Sequence, residues 1–377
     1  MYKRYFISIL FPAIFFTVLT VLAIFLALNM DWGVYSEKGY DIEGNAYNQF
    51  SNQTVEEIFE GISGRIPILE YHTILTPNLE KTVFKNRNIR KKKWFNRLVV
   101  TSEQFRNHLQ TLYKFGFRNI SLNEYLSLIK GQKKAFDRIP PGSKLYVLTF
   151  DDATFGQFDF TGFDKDGNPI IDPDCAVGIM IEFAREHPDF KLNAAFNIDF
   201  ENTPFMQVQY VKKKLNMLLD YGFEIVNHTK NHKPLSRYIK KNPEKIAYEI
   251  GRAMELFESY LGYRAIYVNK ICYPDGKANS EVWDYVKEVS YNGRIYRFAA
   301  ALDAEGLQAR NPNDKYFNIY NIARIEANDK SLKNFVFNAP GIYRTPSIRE
   351  KVVEESLVFY QPVKDIKRAT YKVRESN

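Results

Sequence analysis

The run Leu145-Tyr-Val-Leu-Thr-Phe150 is β-favouring and charge-free, and it ends abruptly in two adjacent carboxylates, Asp151 and Asp152. A strand exposed on one face alternates apolar and polar residues. A run without alternation belongs to a strand buried on both faces, as in a parallel sheet covered by helices. The surrounding sequence fits that reading. Apolar strand candidates (66–72, 117–122, 193–198, 222–226, 265–272, 298–302 and 319–325) alternate with helix candidates (101–116, 124–130, 177–187, 211–221, 243–261 and 281–289). Such alternation predicts an α/β fold with parallel strands. Thr101 and either Ser121 or Asn123 stand where helix caps are needed.

Four positions fall just past strand ends: His72, Asp151, His228 and the turn Tyr273-Pro-Asp-Gly276. In α/β barrels that face is where sites are built. Two adjacent Asp are costly inside a sheet, because neighbouring side chains point to opposite faces. At a strand exit the chain can turn, and both can face one cleft. His228 and His232 are four apart, a spacing that on a helical turn puts both imidazoles on one face. Asn227 and Thr229 are candidates to orient them. One Asp with two His makes a three-ligand set for a divalent cation and leaves the other Asp as a base, which points to metal-assisted hydrolysis. The chain has only five His. Asp164-Lys-Asp-Gly-Asn168 opens like a calcium loop but lacks the remaining ligands, and reads as a turn.

The N-terminus bears on where the chain resides. Lys3 and Arg4 precede Tyr5–Leu28, which carries no charge. At helical rise this stretch spans roughly 36 Å, enough to cross a bilayer. It is longer than the apolar part of a secretory signal. We therefore expect a single-pass membrane anchor with residues beyond it outside the cell, or a secreted protein if the segment is cleaved. The domain expectation is cytoplasmic tip and transmembrane anchor at 1–30, a polar stalk at 31–63, a catalytic domain at 64–349 and a charged tail at 350–377. The formal charge is +8, and the run Lys85–Lys93 is strongly basic. That run reads as a solvated loop first and an anion-binding patch second. An exported chain has no use for nucleic acid. Aromatic content of 15% suits stacking on sugar rings as well as a core. Cys175 and Cys272 allow at most one disulfide.

These motifs resemble the polysaccharide deacetylases, the NodB-homology group of carbohydrate esterases. Thr149-Phe-Asp-Asp152 is similar to that family's first motif, His228-Thr-Lys-Asn-His232 to its second, and Tyr273-Pro-Asp-Gly276 to its third. Ile68-Leu-Glu-Tyr-His72 resembles a strand that opens some members. The resemblance implies a distorted, incomplete (β/α) barrel. It implies Asp152, His228 and His232 as ligands of zinc, cobalt or nickel, and Asp151 as general base. The turn containing Tyr273, Pro274 and Gly276 would meet substrate and oxyanion. The substrate would be an acetylated polysaccharide, most often of N-acetylglucosamine units.

Three departures stand out. Ala153 occupies a position usually held by Gly. Cys272 stands where an Arg normally positions the base, and Arg324 is the candidate to replace it. The family's late Leu-x-His motif, which supplies the general acid, is absent, since no His follows His232; the resemblance to members that take this acid from the opening Tyr-His strand makes His72 the candidate. The competing readings are a surface carbohydrate-binding protein that lost catalysis, and a metal-dependent amidase or esterase with another acyl substrate.

Overall fold

The computed structural model describes residues 64–86, 92–131 and 139–345. The expected anchor, stalk and charged tail lie outside the described residues. Among the described residues no helix is long and apolar enough to cross a membrane.

The strands in chain order are β1 (Ile68–Tyr71), β2 (Thr73–Leu75), β3 (Val99–Thr101), β4 (Phe117–Ile120), β5 (Lys144–Asp151), β6 (Phe160–Phe163), β7 (Pro169–Ile171), β8 (Ala195–Ile198), β9 (Glu224–Asn227), β10 (Ile271–Cys272), β11 (Glu288–Tyr291), β12 (Arg294–Arg297), β13 (Ala301–Leu302) and β14 (Ile325–Glu326). The five long helices are α1 (Ser102–Lys114), α2 (Leu122–Ile129), α3 (Ala176–Glu186), α4 (Val211–Asp220) and α5 (Glu244–Leu261). The main sheet runs β13-β10-β9-β8-β5-β1-β14, with β4 beside the first half of β5. Its pairings are all parallel.

The sheet curls into an incomplete barrel. Its seam is crossed by the segment leading into β14, which touches β13 through a single bridge, Leu302 to Ile322, and pairs with β1 at Ile325 and Glu326. Arg324 therefore sits on the closing segment.

Both faces of the sheet are buried. Ile68, Leu145, Val147, Ala195, Val226, Cys272 and Leu302 face inward and form one cluster. Leu69, Tyr71, Leu148, Phe150, Phe196, Ile225 and Ile271 face outward against the helices and form another. On β5 this accounts for the unbroken apolar run. Each fully buried large apolar side chain contributes ~1.5–3 kcal/mol. Phe150 stacks between Tyr71 and Phe196, with ring centroids 5.5 and 5.0 Å away.

Helix starts follow local chemistry. Thr101 and Gln104 form a reciprocal capping box for α1, and Ser121 and Glu124 form one for α2. α2 packs Leu122, Tyr125 and Ile129 into the inner cluster. Its Asn123 N–H donates to Glu224 at the first residue of β9, so it lies near the strands' N-terminal ends.

Several sequence expectations need correction. The expected 265–272 strand begins as the end of a 3-10 turn, Gly262–Tyr267, continues irregularly through 268–270, and pairs only at Ile271 and Cys272. The strands expected at 298–302 and 319–325 likewise shrink to two-residue elements. The helix at 281–289 stops at Tyr285, and an antiparallel hairpin, β11–β12, follows. At these edges few main-chain bonds are needed to hold register, so propensity says little. Asp164 to Asn168 closes the β6–β7 hairpin as a turn, with Asp164 Oδ1 accepting from the Asp166 and Asn168 amides.

Phe150→Ala should cost ~3–5 kcal/mol, because the stack cannot collapse around the lost ring. Urea denaturation should show a lower midpoint with an unchanged slope.

Candidate active site and metal centre

The inner face of the barrel changes character along each strand. Below, Leu145 and Val147 of β5 are apolar. Above, Thr149 and Asp151 continue the same two-residue alternation as polar groups. On β1, Ile68 gives way to Glu70, and His72 follows two residues on. Asn197 on β8 is paired in register with Asp151.

Asp151 is gripped from several sides. Arg324 Nη1 donates to Oδ1 at 2.6 Å and Nη2 to Oδ2 at 2.7 Å, a two-pronged pair. Asn197 Nδ2 donates to Oδ1 at 2.6 Å. Burial alone would raise the Asp151 carboxyl, but Arg324 more than offsets it and holds the group well below its ordinary value. Arg324 also donates to Thr149 Oγ1 and the Asp303 carbonyl, and its Nη2 lies 3.1 Å from Cys272 Sγ and 3.3 Å from Glu70 Oε2. The guanidinium thus lies beside the thiol at the position where the third motif usually carries Arg.

Asp152 turns out of the strand. Its φ is 67°, and Ala153 follows at 44°. Only this left-handed step lets both adjacent carboxylates reach one cleft. It also explains why glycine suits position 153, where Ala must adopt a conformation costing ~1–2 kcal/mol. The Ala153 carbonyl is anchored by the Phe205 N–H at 2.5 Å.

The histidine pair corrects the expected local geometry. His228 and His232 lie on a loop after β9, not on a helical turn. Thr229 at φ 72° and His232 at φ 48° bend that loop so that the rings converge, with centroids 4.9 Å apart. Asn227 orients the loop rather than an imidazole: its Oδ1 accepts from Thr229 N–H, and its Nδ2 donates to Ile250 O. The Thr229 hydroxyl touches no polar partner. Glu249 on α5 holds the loop by accepting from both the main-chain and side-chain nitrogens of Asn231. His228 Nδ1 lies 2.9 Å from the Cys272 carbonyl. A carbonyl only accepts, so Nδ1 carries the proton and Nε2 presents its lone pair.

His228 Nε2 and His232 Nε2 lie 3.4 and 3.2 Å from Asp152 Oδ1. Those contacts lack hydrogen-bonding angles, and Oδ1 is a buried oxygen with no hydrogen bond. The ligand atoms of Asp152, His228 and His232 lie within 4.8 Å of one another. Three lone-pair donors converging around an unsatisfied oxygen fit a divalent cation, and one carboxylate with two imidazoles is a donor set suited to zinc. Electrostatics agree. Against the effect of burial, the two imidazoles hold Asp152 well below its ordinary value. Against burial too, the nearby thiol and carboxylates raise His228, and Asp152 raises His232. The cluster attracts positive charge.

His72 reaches the same cleft. Its Nε2 is 4.0 Å from Asp152 Oδ2 and 3.8 Å from Glu70 Oε1, and its carbonyl accepts from Gln157 Nε2. The third-motif turn divides differently. The Tyr273 ring is buried in the outer cluster, with its hydroxyl donating to Tyr320 O, so its side chain is turned away from the cleft. Pro274 has no N–H, and the Tyr273, Gly276 and Lys277 amides donate to Leu302 O, Tyr273 O and Pro274 O. That leaves the Asp275 N–H. Gly276 is required at φ 59°, where a Cβ would meet Asp303 Oδ1 at 2.5 Å. Both cysteines are buried and free, which answers the disulfide question.

Glu70, Asn197, Gln157, Glu249 and Asp199 went unnoticed in the sequence. Glu70 had a signal, being two residues before His72 on one strand. The others depend on register and loop contacts. Burial and the neighbouring Asp152 push Asp199 up to about 6 against the pull of His228.

Residues 193–293 match the polysaccharide deacetylase family. The matched segment contains His228, His232 and the Tyr273–Gly276 turn, and begins after the Asp pair. No curated protein matches the chain. Among solved structures, the deacetylase PplD of Streptococcus pyogenes in complex with acetate aligns at 19% identity over 70% of this chain and 92% of its own, with a TM-score of 0.46. A polysaccharide deacetylase from Bacillus cereus aligns at 16% identity over 77% and 69%, TM-score 0.44. IcaB from Ammonifex degensii aligns at 15% identity over 72% and 94%, TM-score 0.44.

Arg324→Met would leave buried carboxylates without their cation and should destabilise the fold by ~3–5 kcal/mol. The Asp151 carboxyl is depressed, so its stabilisation is present above its ordinary value of 3.8 and lost as pH falls below it. The gap between wild type and variant in urea midpoints should therefore narrow on acidification below about pH 4.

Proposed function

We propose that this protein is a metal-dependent N-deacetylase of an extracellular polysaccharide containing N-acetylglucosamine. The observation that carries the reading is one cleft holding the Asp152, His228 and His232 set, an arginine-clamped Asp151 alongside, and His72 within 4.0 Å of Asp152. The match of residues 193–293 to polysaccharide deacetylases supports the reaction class. Tyr5–Leu28 supports a cell-membrane anchor, with the 64–349 domain outside.

A divalent ion held by Asp152, His228 and His232 would polarise the acetyl carbonyl and acidify the attacking water; zinc, cobalt and nickel all suit this donor set. Asp151 accepts the water's proton. Arg324 and Asn197 keep both carboxylate oxygens in fixed directions, so no reorganisation is needed when the proton arrives. The Asp275 N–H is the donor the third-motif turn has left to offer the developing oxyanion. His72 gives a proton to the leaving amine as the C–N bond breaks, releasing acetate and a free glucosamine nitrogen.

A binding protein without catalysis is the weaker alternative. Burying Glu70, Asp151 and Arg324 costs stability, and a sugar-binding surface gains nothing from it. An amidase or esterase of another acyl group shares the same chemistry and differs only in substrate.

The test is acetate release from a chito-oligosaccharide. Chelation should abolish it, and added zinc or cobalt should restore it. Asp151→Asn should lose at least ~10³-fold, and His72→Ala ~10²-fold, with metal content retained. Asp151→Asn releasing acetate as fast as wild type would remove the assignment.

A further inference from the structure

Lys214 on α4 is fully buried, and the reaction as described so far makes no use of it. Its ammonium nitrogen donates to the Phe205 carbonyl at 3.4 Å and lies 3.9 Å from Asp159 Oδ1. The rings of Phe158, Phe160 and Phe205 stand around it, with centroids 5.8, 5.1 and 5.5 Å away. Ring faces attract a cation and offset part of its lost hydration. The arrangement is costly all the same. Burial pushes Lys214 down to about 8 and Asp159 up to about 6, so each partner is driven toward its neutral form, though both are still charged at neutral pH. A methionine would fill the same space without that cost. A charge kept where an apolar side chain would pack as well points to a task beyond packing.

The task follows from what its two partners hold. The loop leaving β5 carries Asp152 and Ala153 in left-handed conformations, and the loop leaving β8 carries Phe205 and Met206 at φ 57° and 53°. The Phe205 N–H donates to Ala153 O and so ties the second loop to the first beside Asp152. Lys214 takes the carbonyl of that same Phe205 and attracts Asp159, further along the first loop. Asp159 Oδ2 in turn accepts from the Gly156 N–H at 3.0 Å. Gly156, at φ 71°, is seated so closely against Ile74 that a Cβ would fall 1.7 Å from its carbonyl oxygen. The ammonium is therefore shared by the two loops whose junction sets the turn at Asp152.

We propose that Lys214 is a positioning residue for Asp152: its buried ammonium clips the loop leaving β5 to the loop leaving β8 and so holds the metal-binding carboxylate in its left-handed turn. The role deepens the deacetylase reading and rests on its Asp152, His228 and His232 set. Lys214 touches neither metal nor substrate. It acts through Phe205 and Asp159, and its loss would loosen the direction of one ligand without removing it.

Metal affinity separates this role from packing. Lys214→Met keeps the volume and removes the charge. A double variant adds Asp159→Asn, which removes the carboxylate left bare while keeping an acceptor for the Gly156 N–H. The metal-free full-length proteins are titrated with Zn2+ in competition with a chromophoric chelator, melted without metal, and scanned in the visible range after loading with Co2+. In both variants the zinc dissociation constant should rise on the order of 10-fold. The Co2+ bands should shift as the ligand geometry relaxes. The metal-free melting temperature of the double variant should equal or exceed that of wild type, because a buried ion pair has been replaced by neutral groups. A zinc dissociation constant within about twofold of wild type in the double variant, or one weakened together with a lower metal-free melting temperature, would overturn the inference and leave the deacetylase reading intact. Wild type that binds zinc yet releases no acetate would remove that reading and leave the role of Lys214 standing. Wild type unable to bind zinc would overturn both.

Discussion

The Arg324–Asp151 pair is the contact on which the site depends. The two residues are 173 positions apart in the chain. One ends the central strand β5, and the other lies on the segment that crosses from β13 to β14. Their two-pronged bond therefore ties closure of the barrel to the direction of the carboxylate. An ion pair this deep adds little to stability, because desolvation offsets its attraction, and apolar replacements of similar shape often do better. What it provides is orientation. A bidentate guanidinium fixes both the plane and the distance of the carboxylate, which lysine cannot do.

The same pair shows where the sequence could be read and where it could not. Leu145–Asp152 was legible because burial on both faces removes polar alternation, and the sudden Asp pair marks the strand exit. His228 and His232 were legible as a pair, but their backbone was not. Four-residue spacing suggests a helical turn, whereas Thr229 and His232 in left-handed conformations produce the same convergence from a loop. Neither residue type announces that conformation. Arg324 was legible only as a replacement for a missing arginine, since nothing local in Ile322-Ala-Arg-Ile325 points at Asp151. Glu70 looked like a polar interruption in an apolar strand until register placed it beside Arg324.

Backbone strain collects on one rim. Asp152, Ala153, Thr229, His232 and Asp275 all have positive φ without being glycine, and all lie just beyond the C-terminal ends of strands. Each such residue costs ~1–3 kcal/mol. A strand delivers alternate side chains to opposite faces, so consecutive or closely spaced residues can share a cleft only if the chain reverses its handedness on leaving the sheet. The supports are visible: Phe205 N–H on the Ala153 carbonyl, Glu249 on Asn231, and Gln157 Nε2 bonded to the carbonyls of both His72 and Asp151. These contacts spread the cost over packed elements.

Charge balance in the cleft constrains what it holds. Glu70, Asp151 and Asp152 contribute three carboxylates around one guanidinium, Arg324. Two negative charges remain, in surroundings where an uncompensated buried charge costs several kcal/mol. Two protonated imidazoles would balance them, and the raised His228 and His232 show that pull. Protons on both Nε2 atoms would, however, crowd Asp152 Oδ1 at angles unsuited to hydrogen bonding, and His228 already spends its other proton on Cys272 O. A single divalent cation would balance the same charge and meet three lone pairs at once. Neutrality and geometry thus favour the same occupant.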